Sequence, residues 1–182
     1  MGRRIVTQPD PSRIHIVPCF VLDEFGGTIR NTYIATRKEA CLVGLVLVSH
    51  SRTLVEGLQD IVAQFGGDEV RVELAGGTDD GRLGTNADRI TEAIRAILGP
   101  DPGSSDGAVI LLDFGSATMS VELALEELTD AERAKVRVPE APLVEGAFVA
   151  GVQASIGASL DDVAAAAESA KTMTKLPSGA AT

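Results

Sequence analysis

Two nearly unbroken apolar runs constrain this chain most: "LVGLVLV" (Leu42 to Val48) and "AVILLD" (Ala108 to Asp113). Each is followed within a few residues by a helical pattern. A strand that is apolar at every position cannot keep one face in water, so it must sit in a sheet covered on both sides. The other segments agree. Leu54, Val55, Leu58, Ile61, Val62 and Phe65 fall on one predicted helical face, which Gly66-Gly67 ends. "EVRVEL" (Glu69 to Leu74) alternates as a second strand. Ile90, Ala93, Ile94 and Ile97 mark another helix, and Val121, Ala124, Leu125 and Leu128 a further one. "KVRVPEAP" (Lys135 to Pro142) holds a short fourth strand, and Leu143 to Ile156 and Leu160 to Lys171 are Ala-rich helices. The expected fold is α/β, with a mostly parallel central sheet of four to five strands and helices on both faces.

This pattern defines a domain over residues 42–172. Residues 1–40 lack its periodicity and read as a poorly ordered extension, with one short strand in "RIHIVPCFVLDEF" (Arg13 to Phe25) broken at Pro18. Residues 173–182 read as a frayed tail.

Charge and composition exclude several classes. Sixteen Lys and Arg against 26 Asp and Glu leave a net charge of -10, which repels a phosphate backbone and argues against nucleic acid. No apolar run is long enough to span a bilayer, so no membrane is expected. Cys19 and Cys41 have no metal-ligand spacing and cannot form a disulfide framework. A reducing cytoplasm and no bound metal follow as expectations.

In a parallel sheet, ligands bind beyond the carboxyl ends of the strands, near a switch in strand order. Three loops lie there. In the first, His50 stands between Ser49 and Ser51 at the start of a helix, whose unpaired N–H groups can hold an anion. An imidazole there can attack a phosphoryl group, or His50 is an ordinary turn residue beside a helix cap. Ser49 and Ser51 stay open between capping and touching an anion. The second loop, "AGGTDDGRLGTNA", offers Gly77 and Thr78 as anion donors. Its Asp79 and Asp80 would repel a phosphate unless a cation balances them, and Thr85 to Asp88 resembles a capping box. It is not a P-loop, because the lysine and spacing are missing. In the third, Asp113 ends a buried strand and can fix an imidazole tautomer, while Ser116 at a helix start can bind an anion.

"GLVLVSHSRTLVEGL", "AGGTDDGRLGTN", "VILLDFGSATMSVELALE" and "APLVEGAFVAGVQA" closely resemble the phosphotransfer subunits of bacterial dihydroxyacetone kinases. These belong to the mannose-type IIA group of the phosphoenolpyruvate-dependent phosphotransferase system. The resemblance runs from about Leu42 to about Lys171. It implies a homodimer that takes a phosphoryl group from the histidine-phosphorylated carrier HPr. The group then passes to ADP held on the nucleotide-binding kinase subunit, and the ATP formed phosphorylates dihydroxyacetone on a third subunit. By the match, His50 is the catalytic histidine and Asp113 its orienting aspartate, with Gly77, Thr78 and Ser116 around the phosphate. The covalent phosphohistidine needs no cofactor on this chain. No HPr-like segment accompanies the match, so separate donor proteins are expected. Phe114 stands where Leu is common in the family, which reads as a bland change. A mannose-type IIA component serving a sugar permease, or a regulatory carrier of the same phosphate, is the alternative.

Overall fold

The two apolar runs become the two central strands of a four-stranded parallel sheet. In a computed structural model of the protein, residues 14–22, 29–37, 42–99 and 105–176 are described. They fall in two compact units, Met1–Ala40 and Cys41–Thr182. In the first unit, strands β1 (Ile14–Leu22) and β2 (Ile29–Arg37) pair antiparallel. The rest of the segment read as an extension lies outside the described residues. The sequence reading breaks a strand at Pro18, whereas β1 runs through it, opposite Tyr33. A two-stranded ribbon has an open edge on each strand, where a residue lacking an N–H is tolerated.

The second unit contains β3 (Gly44–Ser49), α1 (Arg52–Gly66), β4 (Val72–Gly76), α2 (Ala87–Leu98), β5 (Ala108–Leu112), α3 (Ser116–Glu126), α4 (Asp130–Arg133), β6 (Val136–Arg137), α5 (Leu143–Ser155) and α6 (Leu160–Ser169). The strand order is β4-β3-β5-β6, parallel throughout. Side chains alternate across the sheet with the period of two that a strand imposes. Leu45, Leu47, Val109 and Leu111 pack with Val55, Leu58 and Val62 of α1 and with the alanines of α5 and α6. Val46, Val48, Ala108 and Ile110 pack on the other face, with Ile90, Ile94 and Ile97 of α2 and Val121 and Ala124 of α3. Each fully buried Val, Leu or Ile contributes about 1.5–3 kcal/mol.

Three details differ from the sequence reading. The second strand begins at Val72 rather than Glu69, because the turn that closes α1 continues through Val70, whose N–H reaches Gly67 O. On α1 only half of the expected face is buried: Leu54, Ile61 and Phe65 are 42%, 38% and 58% exposed. The reason is close backbone packing, since a Cβ on Gly66 would meet Gly151 of α5 at 3.0 Å. The seam between the helices is therefore narrow, and Phe65 lies outside it, edge-on to Phe148 at 5.3 Å. Finally, the sequence reading contains no counterpart of α4, although Thr129 and Glu132 form a capping box that its sequence spells out. At the carboxyl end, Lys175 pairs with Glu145, and residues 177–182 lie outside the described residues.

Candidate active site

The strand order puts the switch point between β3, which runs on to β4 on one side, and β5 on the other. His50 follows β3 and Asp113 follows β5, so the two loops are neighbours across that crevice. The ladder between the strands extends one step beyond β5, as Asp113 N–H donates to Val48 O at 3.2 Å. That bond fixes the base of the Asp113 side chain beside His50.

The Asp113 carboxylate is saturated. Its Oδ2 accepts from Ser49 Oγ and from His50 N, each at 2.9 Å, and its Oδ1 accepts from Phe114 N at 2.7 Å. His50 Nδ1 lies 3.0 Å from both oxygens. Burial pushes this carboxyl up, but the His50 N–H, the His50 ring, the Phe114 N–H and the Ser49 hydroxyl outweigh it, and the group ends below its ordinary value. An ionised carboxylate only accepts hydrogen bonds, so Nδ1 carries the proton and donates. In the neutral ring the lone pair is then on Nε2, which meets the Ser116 hydroxyl at 2.9 Å. The His50 side chain is 22% exposed and that of Asp113 7%. Nε2 is thus at the rim and the Asp113 carboxylate beneath it.

Of the two roles left open for Ser49 and Ser51, Ser51 takes the capping one and Ser49 takes neither. Ser51 is the N-cap of α1, accepting from Leu54 N at 3.4 Å. Ser49 is fully buried; it donates to Asp113 and accepts from Ser51 N at 3.0 Å. Helix α3 starts differently. Its N-cap is Gly115, at φ 60, a conformation that favours glycine, and no side chain caps it. Ser116 is thereby free to turn its hydroxyl to His50.

The second loop closes over the same crevice. Gly84 N–H donates to His50 O and Gly77 N–H to Ser49 O, at 3.0 and 3.1 Å. Gly76 allows this approach, because a Cβ there would lie 2.8 Å from Arg52 Cα and 3.0 Å from Ser51 O. The donors expected of Gly77 and Thr78 are engaged within the protein: Thr78 N–H reaches Arg82 O at 2.9 Å, and its hydroxyl reaches Asp80 and Arg82 O. Gly77 lies against Ser49, and both residues shape the loop. The repulsion expected of the aspartates is cancelled locally. Asp80 pairs with Arg82, which together with Thr78 holds its carboxyl below the ordinary value, and Asp79 pairs with Arg89 at 2.6 Å. The capping box read at Thr85 is replaced by Asn86, which caps α2, while Thr85 Oγ1 joins Ser120 Oγ of α3 at 2.7 Å. Among the described residues no cluster of three or more His, Cys, Asp or Glu is placed to hold a metal. No helix of the described residues is long and apolar enough to cross a membrane.

Sequence reasoning missed the parts that two residues play in this site. Ser49 is one, since an apolar run gives no sign that its last residue turns a hydroxyl sideways. Phe114 is the other: its ring stacks on His50 with centroids 4.9 Å apart and an interplanar angle of 13°.

Fold and site together define a class, a parallel α/β domain covered on both faces that holds a carboxylate-oriented imidazole at its switch point. A model of the family described as "PTS system fructose IIA component" (EIIA-man) matches residues 44–164. The chain belongs to this mannose-type IIA family. The PEP-dependent dihydroxyacetone kinase 2, phosphoryl donor subunit DhaM, of Listeria innocua serovar 6a is 42% identical over 122 residues, 67% of this chain and 94% of that protein. The phosphoryl donor subunit DhaM of Escherichia coli strain K12 is 40% identical over 125 residues, 67% of this chain and 25% of that protein. The chain therefore spans about a quarter of the length of that second relative. A crystal structure described as "unknown function protein EF1359" superposes with a TM-score of 0.65 at 29% identity, over 75% of this chain and 99% of the other.

Proposed function

We propose that this chain is the phosphoryl-carrier subunit of a phosphoenolpyruvate-dependent dihydroxyacetone kinase. The observation that carries the reading is the pairing of His50 Nδ1 with Asp113, which leaves Nε2 at the rim against Ser116. Nε2 attacks the phosphorus of a histidine-phosphorylated, HPr-like carrier. The N–P bond to the donor breaks as the new one forms. Nδ1 keeps its proton on Asp113 throughout, so the imidazole ring becomes cationic while it carries the phosphoryl group. That positive ring is a good leaving group. When an oxygen of ADP on the nucleotide-binding subunit attacks in line, the electron pair returns to Nε2. The ATP so formed phosphorylates dihydroxyacetone on a third subunit. The Ser116 hydroxyl, already at Nε2, suits the transferring oxygens, whereas the Ala117 and Thr118 N–H groups of α3 donate to Phe114 O and Gly115 O. The names of the Listeria and Escherichia relatives, and the near-complete coverage of the Listeria one, support this substrate, and the resemblance implies a cytoplasmic homodimer.

The test is labelling. With labelled phosphoenolpyruvate, enzyme I and HPr, the protein takes up one phosphate per chain, and His50→Ala takes up none. Label retained by His50→Ala refutes the assignment. The labelled protein then recharges ADP on the kinase subunit. Transfer instead to a sugar-specific IIB protein, with none to ADP, supports the alternative of a IIA component serving a sugar permease.

A further inference from the structure

We propose that Phe114 is a positioning residue that stabilises the phosphorylated, cationic form of His50 through its stacked ring; this rests on the reading of His50 as the phosphoryl carrier. Three observations carry it. The Phe114 ring lies nearly parallel to the imidazole, at 4.9 Å and 13°. Its side chain has no core to fill, since the residue is 70% exposed, so packing gives no reason for a large ring here. Its own N–H donates to Asp113 Oδ1 at 2.7 Å, which fixes the backbone from which the ring projects to the acid that orients His50.

Both nitrogens at the edge of the His50 ring already have partners, Nδ1 in Asp113 and Nε2 in Ser116. A ring stacked on its face adds a restraint that these edge contacts do not supply. The stack also acts on charge. When Nε2 forms its bond to phosphorus, with the donor's bond breaking and the proton staying on Nδ1, the imidazole gains a positive charge. The negative face of an aromatic ring attracts such a cation. Phe114 thus favours the phosphorylated over the free state and covers one face of the ring. A Leu at this position would cover the same face without the quadrupole.

The experiment compares Phe114→Leu, Phe114→Ala and Phe114→Tyr with wild type in the full chain. Each is brought to equilibrium with phosphorylated HPr, and the fraction phosphorylated on His50 is measured. Loss of label to water is then followed over a pH series. An exposed cation–π contact corresponds to a change of about two- to fivefold in equilibrium constant. Leu and Ala should both lower the phosphorylation equilibrium by about that factor and shorten the label's lifetime. Tyr should restore both, and all three should melt with wild type. Leu behaving as wild type overturns the inference and leaves the carrier reading intact, as does Tyr failing like Ala. Wild-type protein that takes no label on His50 overturns both.

Discussion

Asp113→Asn tests the site most sharply, because geometry leaves the amide no good orientation. The carboxylate faces a backbone N–H on each oxygen, that of Phe114 at Oδ1 and that of His50 at Oδ2. Backbone donors cannot turn away. Whichever way the introduced amide lies, its NH2 points at an N–H, and one donor loses its acceptor at about 1–3 kcal/mol. The remaining bonds also lose their charge assistance, which brings the total to about 2–4 kcal/mol. At about 2–4 °C per kcal/mol for a chain of this size, the melting temperature falls by about 5–15 °C. Function suffers separately. A neutral amide beside Nδ1 is a weaker partner for its proton and no longer holds the tautomer that leaves the lone pair on Nε2. Phosphoryl transfer should slow by about 100-fold or more, the order at which a misplaced proton acts in catalysis. Thermal unfolding and rapid-quench labelling read the two effects independently. Acid supplies a control on sign. The folded carboxyl lies below its ordinary value, so its stabilisation is complete above about 3.9, the unfolded value, and fades as pH falls through the folded one. The gap between wild type and variant should therefore be constant near neutrality and narrow in acid. A variant that melts with wild type refutes the hydrogen-bond argument. One that is destabilised but transfers at the wild-type rate refutes the orienting role.

Two further changes probe the walls of the crevice. Ser116→Ala removes the only side-chain contact described at Nε2 while leaving α3 without a lost cap, since Gly115 provides none; rapid-quench assays should show transfer slowed by about tenfold with stability unchanged, as one hydrogen bond of about 1.4 kcal/mol implies. Gly76→Ala places a methyl 2.5 Å from Val55 Cγ2 and 2.8 Å from Arg52 Cα, an overpacking worth about 1–3 kcal/mol. Urea unfolding should record that loss, and a midpoint equal to wild type would show that the α1 terminus shifts freely.

Before the fold was known, the residues fixed a good deal. Runs such as Leu42 to Val48 and Ala108 to Asp113 have no polar face, and that alone forces a covered parallel sheet and puts every strand-to-helix loop on one edge. The ends of α1 and α2 were legible within a residue or two because caps and glycines act locally. Strand order was not. β3 and β5 are both apolar along their lengths, and the order in which the strands lie depends on how all the helices pack. That packing makes β3 the neighbour of β5 and so sets His50 on Asp113. The same cause hid the burial of Ser49, the exposure of Phe65 and the neutralisation of Asp79 and Asp80 by Arg89 and Arg82. Phe114 is the clearest case. As a letter it is a conservative exchange for Leu; only the tertiary structure lays its ring against the imidazole, because that contact joins two loops 64 residues apart and no local rule connects them.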